Sequence, residues 1–296
     1  MNKLIACRKY LHKHCAVALG VLLASGLTAC ANLGDTHATD ANVLSKERIA
    51  EIIASPDRSD ADRAIDARRK PDQMLAFIGV RPGMVALDLS ASRGYTTELL
   101  ARAVGPNGRV YGQNAPRDPN NAPKPPAAPE GNASPTAGAA PVPPPAARIS
   151  PAQALAERAK NPAVANIVPV TRKFEDPVPP EVATGKLELV TLMFNYHDLG
   201  HLGVDRDQMN RAVYAALKSG GIYVIADHAG RPGTGISESG TLHRIEEAFL
   251  RKEVEAAGFK LAGEADFLRN PADPRDKNTP EPAQPKDEFV LKFVKP

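Results

Sequence analysis

Strand-length apolar runs alternate with amphipathic, helix-length segments through most of this chain, and this alternation constrains the fold more than any other feature. Seven runs have the length and apolar content of strands: residues 84–89, 109–113, 166–170, 187–194, 220–226, 259–268 and 288–293. Helical spacing of apolar residues recurs between them, at 94–104, 151–160, 205–218 and 241–257. Elements alternating in this way predict a doubly wound α/β domain with a mostly parallel sheet and helices on both faces.

Three more helices are predicted ahead of the first strand. Ser45 and Ser59 are candidate N-caps for the first two, and Pro71 suits the first turn of the third. These helices and the alternating elements assign residues 44–296 to one domain.

Two segments carry no such periodicity. Residues 115–149 consist mainly of proline, alanine and glycine. Because so few bulky apolar side chains cannot offset the entropy of ordering, they predict a disordered insertion in a surface loop. A spacer or a partner-binding segment is the alternative. Residues 270–287, rich in proline and aspartate, predict irregular structure.

The first thirty residues have the pattern of an export signal. A basic start is followed by a short apolar run at 16–23 and then by Leu27-Thr28-Ala29-Cys30. This last stretch resembles the lipobox of bacterial lipoproteins. It predicts a signal peptide at 1–29, lipidation at Cys30, a tether at 30–43 and a protein anchored in the outer membrane facing the periplasm. An ordinary cleaved signal with a chance cysteine is the alternative.

Cysteine usage and charge exclude several classes of function. Cys7, Cys15 and Cys30 are the three cysteines of the chain, so none remains after Cys30 for a disulfide, a zinc–thiolate site or a nucleophile. The formal net charge is +3, with both signs mixed along the chain and no basic block. We therefore expect no nucleic-acid partner.

The turn after the first strand lies where ligands bind in doubly wound sheets. It reads Leu87-Asp88-Leu89-Ser90-Ala91-Ser92-Arg93-Gly94-Tyr95. This resembles the first motif of class I S-adenosylmethionine-dependent methyltransferases, an acid in the strand followed by a Gly-x-Gly-x-Gly turn. Further stretches are similar to a bacterial group of predicted methyltransferases: residues 110–113, 194–199, 227–229, 241–244 and 256–259.

The resemblance implies a Rossmann-like methyltransferase sheet of seven strands, the last antiparallel, with S-adenosylmethionine as cofactor. It assigns cofactor binding to six positions: Asp88, Ser90, Ser92, Gly94, Gln113 and Asn195. In this assignment Asp88 orients the turn and Gln113 occupies the ribose-binding position. Glu175 and Asp176 fall near the loop that often meets the adenine.

The chain departs from the family pattern at three of these positions. Ser90 and Ser92 replace glycines, and each added Cβ narrows the approach to a ligand. Gln113 replaces an acid that would accept hydrogen bonds from both ribose hydroxyls, whereas an amide offers one acceptor and one donor group.

Histidines and acids are found at the carboxyl ends of the fourth and fifth predicted strands. His197-Asp198 and Asp227-His228 end these two strands, which are neighbours in the methyltransferase order, so their side chains can converge over one cleft. We predict that these four residues are catalytic, with His197 or Asp227 as the base that deprotonates an acceptor. Two alternatives are a metal site, which His201 and His243 would join, and a purely structural role in loop bonding and helix capping.

Methyl transfer from S-adenosylmethionine to an unidentified small substrate is the leading functional hypothesis. A non-catalytic exported binding protein that reuses the fold is the first alternative, favoured by the altered glycines. A metal-dependent enzyme that uses the histidines is the second. The fold alone does not choose among them, because function depends on the site.

Overall fold

The computed structural model describes residues 43–116 and 149–296. The predicted signal peptide, the lipidation at Cys30, nearly all of the tether and most of the insertion at 115–149 lie outside these two ranges. Within them, no helix has both the length and the apolar content needed to cross a bilayer.

One seven-stranded sheet organises the described residues. Its strands are β1 Val85–Leu89, β2 Arg109–Asn114, β3 Ile167–Thr171, β4 Leu187–Met193, β5 Leu217–His228, β6 Lys260–Ala265 and β7 Glu288–Val294. Their order is β3-β2-β1-β4-β5-β7-β6. Strand β7 is antiparallel to both of its neighbours, and the remaining pairs are parallel. The predicted fold class is therefore confirmed: a doubly wound, Rossmann-like methyltransferase sheet whose last strand is antiparallel.

Helices precede the sheet and connect its strands. They are α1 Lys46–Ala54, α2 Asp60–Arg69, α3 Pro71–Ile78, α4 Tyr95–Val104, α5 Pro151–Arg158, α6 Asp198–His201, α7 Arg206–Ala216 and α8 Glu247–Ala256. Ser45 and Ser59 cap α1 and α2, each accepting a backbone hydrogen bond three residues on. Asp205 caps α7 in the same way. These side chains fix where the helices begin, as predicted from the sequence.

The alternation of side chains along the strands creates a buried cluster on each face of the sheet. Leu87 and Leu89 of β1 join one cluster with Val213 of α7, and Ala86 joins the other with Leu100 of α4. All five side chains are fully buried. Burial on both faces explains why β1 reads as a continuous apolar run.

The start of the helix predicted at 241–257 is wrong by about one and a half turns, since α8 begins at Glu247. The backbone N–H of Ile245 donates to the carbonyl of His228 (3.1 Å), and that of Gly230 donates to the carbonyl of Ile245 (2.8 Å). These bonds hold residues just before α8 alongside the end of β5. The backbone groups are thus used by a tertiary contact that helical spacing does not encode.

Buried ion pairs tie the N-terminal helices to the sheet domain. Arg158 of α5 pairs with Asp62 of α2 and with Glu98 of α4. Glu98 also pairs with Arg102 (2.8 Å), which in turn pairs with Asp57 (2.8 Å). Because these side chains are mostly buried, removing one partner would leave a charge without compensation.

Residues 270–287 are irregular, as predicted, and a buried arginine holds them in place. Arg244 is fully buried, and its guanidinium lies 2.9 Å from the carboxylate of Asp273. It also donates to the carbonyls of Ala229 (3.0 Å) and Lys277 (3.1 Å). Arg244 therefore joins the end of β5 to the long connection before β7.

Candidate functional site

The strand order reverses at β1, and the turn that follows this strand keeps a backbone path suited to glycine. β1 lies between β2 and β4. Ser90, Ser92 and Gly94 have φ values of 54°, 51° and 91°, all in the left-handed region. That region costs an L-residue with a side chain about 1–2 kcal/mol, whereas glycine enters it freely. The glycine-type turn therefore persists although two glycines are replaced.

Asp88 holds this turn from within the sheet. Its buried carboxylate accepts hydrogen bonds from the hydroxyls of Thr97 in α4 (2.6 Å) and Thr191 in β4 (2.8 Å). Burial raises the pKa of the Asp88 carboxyl to about 6 despite these bonds. Asp88 thus joins β1, β4 and α4 around the turn.

Gln113, at the predicted ribose-binding position, is fully buried and bonded at both ends of its amide. Its Oε1 accepts from the backbone N–H of Ser90 (3.0 Å), and its Nε2 donates to the carbonyl of Arg172 (2.6 Å). The next residue, Asn114, donates to the carbonyl of Ser92 (3.2 Å). A carboxylate could not supply either donor, so these amides support the turn in a way that the family's acid would not.

The two acids expected near the adenine differ in their surroundings. Asp176 is exposed and pairs with Arg172, and Glu175 is half-buried. A contact of either residue with a cofactor stays a prediction.

A small cleft of about 20 Å³, open to solvent, adjoins the turn. Its walls come from α3, from the start of α4 and from the end of β4, and they are almost entirely apolar. Arg69 supplies the one charged side chain among the described residues that line it, beside Tyr95 and Phe194. The sequence alone did not predict this cleft, because its walls come from segments that are far apart in the chain.

Arg69 is a cation without a counter-ion among the described residues. Its guanidinium carbon lies 3.6 Å from the centre of the Phe194 ring, and its Nε is buried without a hydrogen-bond partner among the described residues. The neighbouring Arg68 pairs with Glu288 (2.9 Å), whereas Arg69 takes part in no ion pair within these residues. Burial lowers the pKa of Arg69 to about 10, so the side chain is still charged at neutral pH.

Phe194, which lies against Arg69, is itself strained. It directly follows β4 and has a φ of 59°, which is rare for an aromatic residue. Strain of this kind persists only where the surroundings impose it, and it concentrates at functional sites. The cleft thus combines an aromatic residue with a strained backbone and a cation that has no ion-pair partner among the described residues.

His197 and Asp227 meet where β4 and β5 end. Nδ1 of His197 lies 2.5 Å from Oδ1 of Asp227, whose Oδ2 accepts from the backbone N–H of His197 (2.8 Å). Oδ1 also accepts from the backbone N–H of His228 (2.8 Å). Asp227 is fully buried and all its bonds are internal, so it fixes the orientation of His197.

Burial by itself would lower the pKa of His197, but the Asp227 and Asp198 carboxylates outweigh it and raise this pKa to about 9. The ring is therefore cationic at neutral pH when protons are the only available cations. In that state it donates protons and does not accept them. The roles predicted for His197 and Asp227 as bases remain untested.

Asp198, the first residue of α6, lies close to three imidazoles. Its Oδ1 lies 3.1 Å from Nε2 of His197, 2.7 Å from Nδ1 of His243 and 3.8 Å from Nδ1 of His201. Its Oδ2 accepts from Nδ2 of Asn195 (2.9 Å). Burial would raise the pKa of Asp198, but His197 and His243 lower it to about 2. Asn195, predicted to bind cofactor, thus contacts the histidine cluster.

His228 links this cluster to the cleft. Its ring centre lies 5.2 Å from that of His197 and 5.7 Å from that of Phe194. Burial lowers the pKa of His228 to about 3, so it is neutral at physiological pH. Nδ1 of His228 lies 3.0 Å from a carboxylate oxygen of Glu288.

Two further acids near the start of α8 make contacts that hold the surrounding segments. Glu246 accepts from the backbone N–H of Gly235 (2.9 Å), and Glu247 pairs with Arg269. The first contact ties residues 231–235 to the segment before α8.

Solved structures share this fold. A SAM-dependent methyltransferase from Aquifex aeolicus aligns over 86% of this chain and 100% of its own, at 13% identity and a TM-score of 0.52. A Galdieria sulphuraria protein assigned to the sarcosine dimethylglycine methyltransferases aligns over 86% and 92%, at 13% identity and a TM-score of 0.50. At such identities the likeness establishes the shared fold. No family model and no curated protein sequence matches the chain.

Proposed function

We propose that this protein binds S-adenosylmethionine against the turn after β1 and transfers its methyl group to a small nucleophilic acceptor. The observation that carries the proposal is the left-handed backbone at Ser90, Ser92 and Gly94. It preserves, at a backbone cost, the turn that lets a ligand approach the end of β1 closely. A turn with a purely structural role would not need this unfavourable backbone conformation.

The residues that line the adjoining cleft suit the chemistry of the cofactor's amino-acid end. A methionine moiety has an aliphatic chain, which suits the apolar walls, and a carboxylate, which suits the guanidinium of Arg69, whose Nε has no hydrogen-bond partner among the described residues. A bidentate pair with a carboxylate would satisfy the Arg69 side chain and offset its burial. In this proposal Arg69 is the anionic anchor of the site.

The acceptor would lie at the ends of β4 and β5. Methyl transfer depends mostly on aligning the nucleophile with the methyl group, so rigid positioning is the main contribution of the protein. Asp227 holds His197, and Asn195 holds Asp198, so that His197 and Asp198 present polar groups in fixed positions. We propose that His197 and Asp198 contact the acceptor, with Asp227 and His228 positioning them.

Calorimetric titration with S-adenosylmethionine and S-adenosylhomocysteine tests the proposal. Arg69→Met should weaken both affinities at least tenfold, because a hydrogen bond to a charged group contributes about 1.5–3 kcal/mol. Arg68→Met is the matched control, since that neighbouring arginine pairs with Glu288 and lies outside the cleft, and it should change either affinity less than about twofold. Folded wild-type protein that gives no heat with either ligand would overturn the proposal.

We also propose that the protein is exported and anchored by a lipid on Cys30. The basic start, the short apolar run and the Leu27-Thr28-Ala29-Cys30 stretch support this. Metabolic labelling with a radioactive fatty acid should mark the wild-type protein and leave Cys30→Ser unlabelled. Labelling of both proteins, or of neither, would contradict it.

A further inference from the structure

Two side chains that follow β4 and one from the segment before α8 bring potential ligand atoms close together. A nitrogen of His197, a carboxylate oxygen of Asp198 and a nitrogen of His243 all lie within 4.8 Å of one another. Oδ1 of Asp198 is 3.1 Å from His197 and 2.7 Å from His243. Atoms bound to one ion at about 2.0–2.2 Å are themselves roughly 3 Å apart. The two contacts of Asp198 already have this spacing, and a closer approach of the two histidine nitrogens would complete it.

The partners behind these ligands leave the inward-facing atoms free. Asp227 lies 2.5 Å from Nδ1 of His197, which leaves Nε2 directed towards Asp198. Asn195 donates to Oδ2 of Asp198, which leaves Oδ1 close to both histidine nitrogens. A carboxylate bonded to the far nitrogen of a histidine is the usual support of an imidazole that binds metal.

The same arrangement is unfavourable without a cation. When Nδ1 of His197 carries the proton facing Asp227, its Nε2 and the Asp198 oxygen are both acceptors, 3.1 Å apart. A positive charge must lie between these two acceptors, either a second proton or a metal cation. The side chains of Asp198 and His243 are 23% and 38% exposed, so the cluster is open to solvent.

The backbone adds a further sign of a built site. His243 has a φ of 51°, a left-handed conformation that is uncommon for a residue with a side chain. This conformation lies in the segment held beside β5, and it brings the ring to Asp198. The unfavourable backbone conformation thus occurs at a residue that offers a ligand atom.

We propose that His197, Asp198 and His243 bind a divalent transition-metal ion of the zinc or iron type. Two imidazoles and one carboxylate suit these ions and disfavour magnesium or calcium, which prefer oxygen ligands. Three protein ligands leave coordination positions for water or a substrate oxygen. The further step, that the ion binds an oxygen of the methyl acceptor, rests on the proposed function; the binding of metal does not.

Titration of the metal-free purified protein with Co²⁺, followed by visible absorbance, and with Zn²⁺, followed by calorimetry, tests the site. We expect one equivalent of either ion and no comparable binding of Mg²⁺. Asp198→Asn and His243→Ala should each weaken binding at least tenfold, and Asp227→Asn should weaken it by about tenfold to a hundredfold through His197.

His37→Ala is the matched control, because it removes one histidine from outside the cluster and should leave the stoichiometry and affinity unchanged. Thermal unfolding of each variant shows that it is folded, and Asp198→Asn keeps the test valid if another variant is not. Absence of saturable Co²⁺ and Zn²⁺ binding, or binding unaffected by Asp198→Asn and His243→Ala, would overturn the proposal. No cofactor is added, so failure of the proposed methyl transfer would not affect the outcome.

Discussion

Arg69 stacks its guanidinium on the ring of Phe194, with 3.6 Å between the guanidinium carbon and the ring centre, and no ion pair forms with it among the described residues. A desolvated cation–aromatic contact recovers about 2 kcal/mol, which does not replace a buried counter-ion. The relationship is best understood as a binding site prepared for an anion and held at the expense of stability.

Arg69→Met should therefore stabilise the ligand-free protein. The variant keeps an unbranched apolar chain against Phe194 and removes the uncompensated charge, so we expect the free energy of unfolding to rise by about 1 kcal/mol. Urea denaturation of wild type and variant measures the difference. A variant less stable than wild type would show that Arg69 serves the fold.

The serines of the turn give a second prediction. Ser90→Gly and Ser92→Gly relieve left-handed backbone, which outweighs the extra flexibility of glycine in the unfolded chain, so each should stabilise the protein by about 0.5–1 kcal/mol. Removing each Cβ should also tighten the binding of S-adenosylhomocysteine. Chemical denaturation and calorimetry measure the two effects. Loss of stability in both variants would refute the account of the turn.

The buried carboxyl of Asp88 gives a prediction about pH. Its pKa is about 6 in the folded protein against an ordinary 3.8, so between these values the folded state keeps a proton that the unfolded state has lost. Its contribution to stability therefore falls as pH rises through this window, by about 3 kcal/mol in full. Asp88→Asn cannot titrate, and it can still bond to Thr97 and Thr191.

The difference in free energy of unfolding between Asp88→Asn and wild type should thus shift by about 2 kcal/mol in favour of the variant from pH 4 to pH 8. Comparing urea denaturation of both proteins at the two pH values cancels any effect of the substitution that does not depend on pH. An equal difference at the two pH values would mean that Asp88 has no raised pKa.

The ion pairs of Arg158 should matter far more than exposed pairs. Arg158→Met leaves Asp62 and Glu98 buried without this partner and should cost about 3–5 kcal/mol. Arg211→Met is the control, since its pair with Asp207 is exposed and should contribute under about 0.5 kcal/mol. Similar losses in the two variants, measured by denaturation, would contradict the role given to this network.

Periodicity is enough to predict the sheet. Burial on both faces makes a parallel strand a continuous apolar run, so the sequence alone reveals β1 as residues 84–89. The carboxyl ends of neighbouring parallel strands share one edge, which predicts that His197 and Asp227 lie close together. Their 2.5 Å contact agrees with that reasoning, while their catalytic role stays a prediction.

Contacts between distant parts of the chain could not be predicted. Arg69 meets Phe194 across 125 positions of sequence, and only the packing of the N-terminal helices brings them together. The amide of Gln113 is used by Ser90 and Arg172, which no local pattern reveals. The segment before α8 satisfies helical spacing, but its hydrogen bonds to the end of β5 prevail.

A crystal structure of the protein grown with saturating S-adenosylhomocysteine is the most direct test of where the cofactor binds. The account predicts ligand density against the turn of Ser90, Ser92 and Gly94, with the carboxylate of the ligand within hydrogen-bond distance of Arg69. Density elsewhere on the protein, or an empty cleft with Arg69 still unpaired, would contradict the central claim that this turn and cleft form a methyl-donor site.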